Sequence, residues 1–452
     1  MASRQRSSSS RFRVGKVSGY FHHGAWWLYY RDQGKQVRRK VSLSRDEAQT
    51  VASQVHAQLA MGSPTLLAFT PISVTDLRQQ FLHYHEHVLN SSLGTVCRYR
   101  AATLHLEHFV QQQQKPLRVH EIQPAAFAAH LRKLEVSPNG HKNTAKRKLR
   151  GKGIQFILET CRSMYQFAVK RRHLPPYAGN PFAELPLDRL KIEDAKPIFV
   201  FIEATELAFF RAVSDWAFPM HFLLAKTGLR VGELVHLLIE EVDLESGWLH
   251  VRNKIELGWR IKTGSERLVP LLSEAVAVLR AVIGDRQAGP IFLREKLKGK
   301  IPALVGQRSE LERVFADRIK GARQSEKPLT RTEIQKMARR LWWDMGTIKA
   351  DAVRTSFMRA MKAIGHDEAT CPKSWRHSFA TLLQDANVDP LIRQQTLGHK
   401  PTNGSGLGMT ANYTHTRAET LRQQIEQALR RWPESLHYAI ERMKAKAEGK
   451  TP

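Results

Sequence analysis

The chain has 452 residues, a length that favours two to four domains, and its 71 Lys and Arg residues outnumber 42 Asp and Glu residues to give a formal net charge of +29. This excess predicts a polyanionic partner, most commonly nucleic acid, although a basic surface can also serve only to keep a protein soluble. Three widely spaced cysteines argue against a disulfide framework or a zinc knuckle, and no apolar run approaches membrane-spanning length. We therefore expect a cytoplasmic protein with no membrane partner.

A disordered basic tail over residues 1–10 precedes the first predicted domain, residues 11–65. Strand-like segments separated by glycines predict a three-stranded sheet, with strands at 12–17, 26–31 and 36–42. The sequence SRDE at residues 44–47 has the form of a capping box and predicts a helix that extends to about Leu59.

Three consecutive basic residues, Arg38, Arg39 and Lys40, fall on the third predicted strand. Four aromatic residues of the second strand stand behind them, and we expect about half of these to form the core of the small domain. The core does not account for the basic residues, so we interpret them as contacts to a nucleic-acid backbone.

Residues 73–186 repeat their apolar side chains with a helical period, which predicts a helical second domain. A basic run interrupts the pattern and contains Lys146, Arg147, Lys148 and Arg150. Charge runs usually mark a solvated face, but this one leads into a helix and is also a candidate for phosphate contacts.

The third predicted domain spans residues 197–432 and is mainly helical, with a small sheet whose strands are predicted at 248–251, 259–262 and 267–270. Its long basic segment 296–370 predicts additional helices that contact nucleic acid. We expect a basic tail at 433–452. The helix before it and residues 442–450 are candidates for docking onto a neighbouring subunit, and a frayed terminus is the alternative.

Four short segments of the third domain carry chemistry. In the first, TGLRVGEL at 227–234, Gly228 can end one helix, and Glu233 follows Arg230 by one helical turn and can orient its guanidinium. The second is a hairpin tip that carries Lys262. Taken alone, the first segment is explained by an ordinary surface ion pair, and the second by an ordinary solvated lysine.

In the third segment, Lys373 and Arg376 share a face near the start of a predicted helix. Two cations there oppose the helix dipole, a local cost that a bound anion would offset. The fourth segment opens with a helix that Gly398 ends just before His399. A glycine-rich loop then leads to Tyr413, and residues 416–419 predict a capping box for the helix that follows.

In their order along the chain, these segments resemble the catalytic signature of the tyrosine recombinases, the phage-type integrases. The matching motifs are TGLRVGEL, the hairpin lysine, KxxRHSFAT, LGH and NYTHT. The resemblance covers residues 197–432, while 73–186 is similar to the family's core-binding domain and 11–65 to an arm-type DNA-binding domain. It implies a mainly α fold with small β-sheets, of the α+β class, and a DNA-associated enzyme.

The resemblance also implies a role for each matched residue. Arg230 and Arg376 would clamp the scissile phosphate, and His399 would hydrogen-bond it. Tyr413 would be the nucleophile that forms a 3′-phosphotyrosyl link, and Lys262 the general acid. Glu233 would support Arg230 in this arrangement. Because arginines neutralise the phosphate charge, no metal and no other cofactor are implied.

Two positions depart from the family pattern. Lys373 stands where the family usually has histidine, and a lysine can donate a hydrogen bond to phosphate but cannot act as a neutral base at its ordinary pKa. The segment 400–410 is longer and richer in glycine than the usual spacer, which either lets the Tyr413 segment swing or is a neutral insertion.

The implied function is site-specific integration or excision of a mobile element. Double-stranded DNA and a homotetramer on two DNA sites are the implied partners, and an accessory DNA-bending or directionality protein is a further candidate. A type IB topoisomerase and a catalytically silent DNA-binding protein on the same scaffold are the alternatives. The first would relax supercoils as a monomer, and the second would form no covalent adduct.

Overall fold

The computed structural model describes residues 10–448 with these gaps: 33, 64, 66, 68, 116, 138–143, 176–178, 191–196, 298, 324–327 and 400–415. The chain divides into two compact units, Met1–Ala195 and Lys196–Pro452. Both units combine helices with small antiparallel sheets, which confirms the predicted α+β class.

The first unit begins with a four-stranded antiparallel sheet of order β1-β2-β3-β4, rather than the predicted three strands. The strands are β1 (Arg11–Val14), β2 (Val17–His22), β3 (Ala25–Asp32) and β4 (Lys35–Ser42). The prediction was wrong because it joined Val14 to Val17 in one strand. These two residues pair across a tight turn in which Gly15 has φ +54°, a value that glycine adopts without strain.

Helix α1 (Arg45–Ala60) covers one face of this sheet and leaves the other face open. Leu28 and Tyr30 are buried against Ala52 and Val55 of the helix. Of the four aromatic residues of β3, two are buried and two are half-buried, as expected. The predicted capping box is wrong, because the Ser44 side chain caps no backbone amide and the Glu47 carboxylate accepts a hydrogen bond from Ser42 instead.

Among the described residues, four α-helices make up most of the rest of the first unit and confirm the helical prediction. They are α2 (Val74–His83), α3 (Leu93–Gln111), α4 (Pro124–Lys133) and α5 (Gly151–Lys170). Their apolar faces meet in one core, in which Leu77, Phe81 and Leu158 are buried. A two-stranded ribbon of β5 (Glu135–Val136) and β6 (Arg147–Lys148) precedes α5.

The second unit contains a three-stranded antiparallel sheet of order β7-β8-β9. Its strands are β7 (Val242–Asp243), β8 (Trp248–Val251) and β9 (Arg267–Pro270). The strand predicted at 259–262 is wrong, because Trp259 pairs with Lys254 across a short turn and the chain turns again at 261–264. The apolar residues that suggested a strand, Trp259 and Ile261, pack into the interior from these turns.

Helices surround this sheet. They are α6 (Glu203–Ala212), α7 (Phe218–Thr227), α8 (Val231–Leu234), α9 (Ser273–Ile283), α10 (Arg308–Ala322), α11 (Arg331–Asp344), α12 (Ala350–Ala363), α13 (Lys373–Asp385), α14 (Pro390–Leu397), α15 (Ala418–Leu429) and α16 (Pro433–Ala447). The predicted ends of two of them are confirmed, with Gly228 at φ +62° after α7 and Gly398 at φ +61° after α14. No described helix is long and apolar enough to cross a membrane.

The C-terminal segment is a packed helix, so the predicted tail at 433–452 is wrong for 433–448. Leu436 and Ala439 of α16 are buried in the core of the second unit. Arg442 donates hydrogen bonds to the carbonyl oxygens of Phe210 and Val213 and pairs with Asp215. The predicted capping box at 416–419 is also wrong, since α15 begins after Arg417 without a side-chain cap.

Candidate active site

Glu233 is the anchor of a buried cluster at the start of α8. Its carboxylate accepts a hydrogen bond from Arg230 Nη1 at 2.7 Å and another from the Arg230 backbone amide at 2.9 Å. The side chain of Glu233 is 2% exposed, whereas that of Arg230 is 23% exposed. The predicted Arg230–Glu233 pair is therefore formed, with its carboxylate buried and its guanidinium open to solvent.

Arg267, the first residue of β9, completes the anchor and was missed in the sequence. Its Nη2 lies 2.7 Å from Glu233 Oε2, its Nη1 lies 3.3 Å from Oε1, and its Nε donates to the carbonyl oxygen of Thr396 at 2.8 Å. A signal for it exists, because Arg267 takes the same inward-facing position of its strand as the buried Val269. An inward cation in an alternating strand needs a buried partner.

Arg376 lies on α13 and joins two distant segments. Its Nη1 donates to the carbonyl oxygen of Gly228 at 2.7 Å, and its Nη2 donates to the carbonyl oxygen of Leu397. The same Nη2 lies 3.1 Å from His399 Nε2. Arg376 thus holds the loop after α7 and the loop after α14 together, which brings His399 to the cluster.

The cluster has an excess of positive charge, with three guanidinium groups around one carboxylate. Burial and the charges of Arg230 and Arg267 lower the pKa of Arg376 to about 10. Burial alone would raise the pKa of Glu233, but its bonds with Arg267 and Arg230 hold that pKa below its ordinary value. Such a site favours a bound anion, since an anion would offset the mutual repulsion of the arginines.

The surroundings of His399 favour its neutral form. Burial and the neighbouring charges of Arg376 and Arg230 lower its pKa below the ordinary histidine value. Because a guanidinium only donates, Nε2 accepts the bond from Arg376 and the proton of the neutral ring lies on Nδ1. The exposed ring therefore carries one N–H donor for a ligand.

The two predicted lysines, Lys262 and Lys373, are both exposed. Lys373 is the first residue of α13. Burial of His377, one turn later, lowers the pKa of that histidine, and the charge of Lys373 lowers it further. Lys262 lies in the turn at 261–264, where the Gly264 amide donates to the Ile261 carbonyl at 2.9 Å. The predicted nucleophile, Tyr413, and the glycine-rich segment 400–410 lie outside the described residues.

The three basic residues predicted together on β4 do not form one surface. Arg38 and Lys40 lie on the open face of the sheet, whereas Arg39 points to the face covered by α1 and stacks over Phe69 at 4.6 Å. Because neighbouring residues of a strand point to opposite faces, the three residues predicted to contact nucleic acid are divided between the two faces of the sheet. The sequence reasoning also missed two arginines of β1 that share the open face, Arg11 and Arg13.

The basic run of the helical region is exposed. Lys146, Arg147 and Lys148 lie in or beside β6, and Arg150 directly precedes α5. In the part of the chain that the structure describes, no group of three or more His, Cys, Asp or Glu side chains is placed to hold a metal ion.

Comparison with known proteins assigns the second unit. Residues 207–420 match the model of the phage integrase family. The tyrosine recombinase XerD of Staphylococcus aureus is 27% identical over 283 residues, which cover 61% of this chain and 76% of that protein. XerD of Staphylococcus saprophyticus is 26% identical over 277 residues, which cover 60% and 74%.

Two solved structures are similar to the chain. The Tn1549 transposon integrase in complex with a circular intermediate DNA has a TM-score of 0.45 and 19% identity, over 79% of this chain and 99% of that one. A lambda integrase tetramer bound to a Holliday junction has a TM-score of 0.47 and 15% identity, over 87% and 98%. The family match places residues 207–420 in the phage integrase family, and together with the XerD relatives it shows that the chain is a tyrosine-type site-specific recombinase.

Proposed function

We propose that the protein cleaves and rejoins duplex DNA through a 3′-phosphotyrosyl bond to Tyr413, and so integrates or excises a mobile element. The observation that carries the proposal is the buried Glu233 carboxylate, which orients Arg230 while Arg376 lies beside it with His399. Preorganised donors of this kind suit the charge that builds up on a phosphate during substitution at phosphorus.

In the proposed cleavage step, the Tyr413 phenolate oxygen attacks the scissile phosphorus, and the bond from phosphorus to the 5′-oxygen breaks. Arg230 and Arg376 would bind the non-bridging oxygens, joined by the N–H donor of His399. Lys262 would give a proton to the departing 5′-oxygen. Lys373 would donate a hydrogen bond to the phosphate and, being cationic, would not accept a proton.

Rejoining would run the same step in reverse with a 5′-hydroxyl of the other strand as the nucleophile. Because the phosphotyrosyl bond retains the energy of the phosphodiester, no nucleotide triphosphate would be consumed. Recombination of two duplexes requires four strand cleavages, each by its own tyrosine. This count supports the proposal of a homotetramer on two double-stranded DNA sites.

The experiment that tests the proposal compares cells that express the wild-type protein with cells that express Tyr413→Phe. The cells are lysed in denaturant, DNA that stays attached to the protein is isolated, and the attachment points are sequenced. We expect adducts at a few discrete sites with the wild type and none with the variant, which keeps the ring but removes the nucleophilic oxygen.

Other outcomes would contradict the proposal in different ways. Adducts scattered over many sequences would favour a type IB topoisomerase. Adducts that persist in Tyr413→Phe would show that another residue is the nucleophile. Wild-type protein that forms no adduct, although it binds DNA, would favour a catalytically silent binding protein.

A further inference from the structure

The turn that carries Lys262 is held from inside by Asn253. The Oδ1 of Asn253 accepts a hydrogen bond from the Ile261 amide at 3.0 Å, and its Nδ2 donates to the Gly264 carbonyl at 3.0 Å. Both partners are backbone groups, one on each side of Lys262. A single side chain therefore fixes the two ends of the turn, while Lys262 itself stays exposed.

A buried ion pair also anchors the segment between Asn253 and this turn. Lys254 Nζ lies 2.7 Å from Glu241 Oε1, and both side chains are 1% exposed. Lys254 also exchanges backbone hydrogen bonds of 2.9 and 3.0 Å with Trp259. Breaking a pair this deeply buried is costly, so the base of the turn has little freedom to move.

The helix pair α10 and α11 also holds this segment in place. Trp342 Nε1 donates to the Leu257 carbonyl at 3.0 Å, and Gln335 Nε2 donates to the Gly258 carbonyl at 3.1 Å. Gly258 has φ +70°, and a Cβ there would lie 2.4 Å from the Cβ of Ala338. The backbone of the segment thus rests directly on α11.

The same helix pair also reaches the element that carries Arg230. The His236 ring stacks on Trp259 with centroids 4.8 Å apart and meets the Trp342 ring edge-on at 4.6 Å. His236 Nδ1 lies 2.7 Å from the carbonyl oxygen of Gly232, next to Glu233. One packed layer therefore connects the Lys262 turn to the Glu233 cluster.

We infer that Asn253, together with the helix pair α10 and α11, positions the Lys262 turn for proton donation to the departing 5′-oxygen. The inference rests on the proposed function and assigns a role to helices of the long basic segment 296–370. Asn253 and Trp342 act in it as positioning residues, because they hold the turn and not the substrate.

A change of leaving group tests the inference. In a duplex whose scissile 5′-oxygen is replaced by sulfur, the P–S bond breaks and the sulfur departs as a thiolate, which needs no proton. A defect in proton donation slows cleavage of the oxygen substrate only, whereas a general defect slows both. The substrates carry the attachment site mapped by the adduct experiment, and single-turnover cleavage is measured at saturating protein.

Asn253→Ala removes both bonds that bracket Lys262. We expect its cleavage of the oxygen substrate to fall by roughly 10-fold to 100-fold, as small displacements of catalytic groups do. We expect its cleavage of the sulfur substrate to stay within about threefold of wild type, because a thiolate departs without a proton and the position of the acid does not matter. The matched control is Asn180→Ala, because Asn180 makes the same two kinds of bond, to the Arg162 carbonyl and from the Phe182 amide, in the first unit.

Trp342→Phe is the second variant, and it keeps an aromatic ring, although a smaller one, while removing the N–H donor. We expect cleavage of the oxygen substrate to slow by about threefold to tenfold, the range of one hydrogen bond, with recovery on the sulfur substrate. Its control is Trp216→Phe, which removes an equivalent bond of 3.1 Å to the Leu293 carbonyl.

Equal slowing of both substrates by Asn253→Ala and by Trp342→Phe would overturn the inference and leave the proposed function standing. The inference would also be overturned if both control variants cleaved the oxygen substrate slowly and the sulfur substrate at the wild-type rate. The effect would then not depend on the Lys262 turn. Failure of the proposed function appears separately, as wild-type protein that forms no adduct that depends on Tyr413.

Discussion

Arg267 binds Glu233 through both terminal nitrogens of its guanidinium, at 2.7 and 3.3 Å, and both side chains are at most 5% exposed. Arg230 uses the same carboxylate from the solvent side. Glu233 therefore couples the position of β9, through Arg267, to an arginine that is partly exposed to solvent. This relationship makes Arg267 the structural partner on which the orientation of Arg230 depends.

Arg267→Met, which keeps most of the side-chain volume and removes the charge, should destabilise the second unit by about 3–5 kcal/mol, the usual cost of leaving a buried partner unpaired. Cleavage should fall by at least about tenfold at temperatures where the variant is folded, because Glu233 would lose the contact that fixes its position and would no longer hold Arg230 in one orientation. Thermal unfolding and the single-turnover cleavage rate are the measurements. Arg430→Met, at a pair whose arginine is 48% exposed, is the control and should cost under about 1 kcal/mol.

Gly228→Ala should cost more than the backbone strain alone. Gly228 has φ +62°, and its added Cβ would lie 2.5 Å from the Phe379 ring, beside the carbonyl that accepts Arg376. The control Gly365→Ala has φ +81° and meets no described atom within 4 Å, so it should show only the strain of roughly 1–2 kcal/mol. Equal losses of stability and activity in the two variants would contradict this account of Gly228.

Acid should destabilise the second unit through two buried histidines. Burial lowers the pKa of His221 to about 3, and burial together with the charge of Lys254 lowers that of His236 to about 4 despite its bond to the Gly232 carbonyl. The unfolded chain takes up these protons near pH 6.5 while the folded chain does not, so stability is lost as the pH falls below about 6.5. Each histidine should cost about 2 kcal/mol between pH 7 and pH 5.

Chemical denaturation at the two pH values measures this loss. His221→Gln replaces the ring, which accepts from Trp375 and lies 2.8 Å from Ser356, by a group that does not titrate. Its difference in stability between pH 7 and pH 5 should be smaller by about 2 kcal/mol. The control His437→Gln changes an exposed histidine and should leave the difference as in the wild type.

Arg38→Ala and Arg39→Ala should behave differently although the residues are neighbours. Arg38 lies on the open face of the first sheet over Tyr29, so its loss should weaken DNA binding and lower the salt slope by about 0.9. Arg39 stacks on Phe69 on the covered face, so its loss should reduce stability and leave the slope unchanged. Binding titrations over a range of salt concentrations distinguish the two, and equal slopes for both variants would contradict the assignment of faces.

Local patterns in the sequence were enough to predict many features. The glycines that end α7 and α14 and the pairing of Arg230 with Glu233 were correctly expected. Each depends on residues within a few positions of one another, and such short-range interactions are written directly in the order of the residues. The order of the motifs likewise identified the family.

Contacts between distant segments were decided only by the folded chain. Glu233 and Arg267 are 34 residues apart, and Arg442 reaches the carbonyls of Phe210 and Val213 from the C-terminal helix. The alternation of β9 marks Arg267 as inward-facing, but no local pattern identifies the partner of either arginine. A buried cation is stable only where the fold brings a carboxylate or a row of carbonyl oxygens to it, and that pairing exists only in three dimensions.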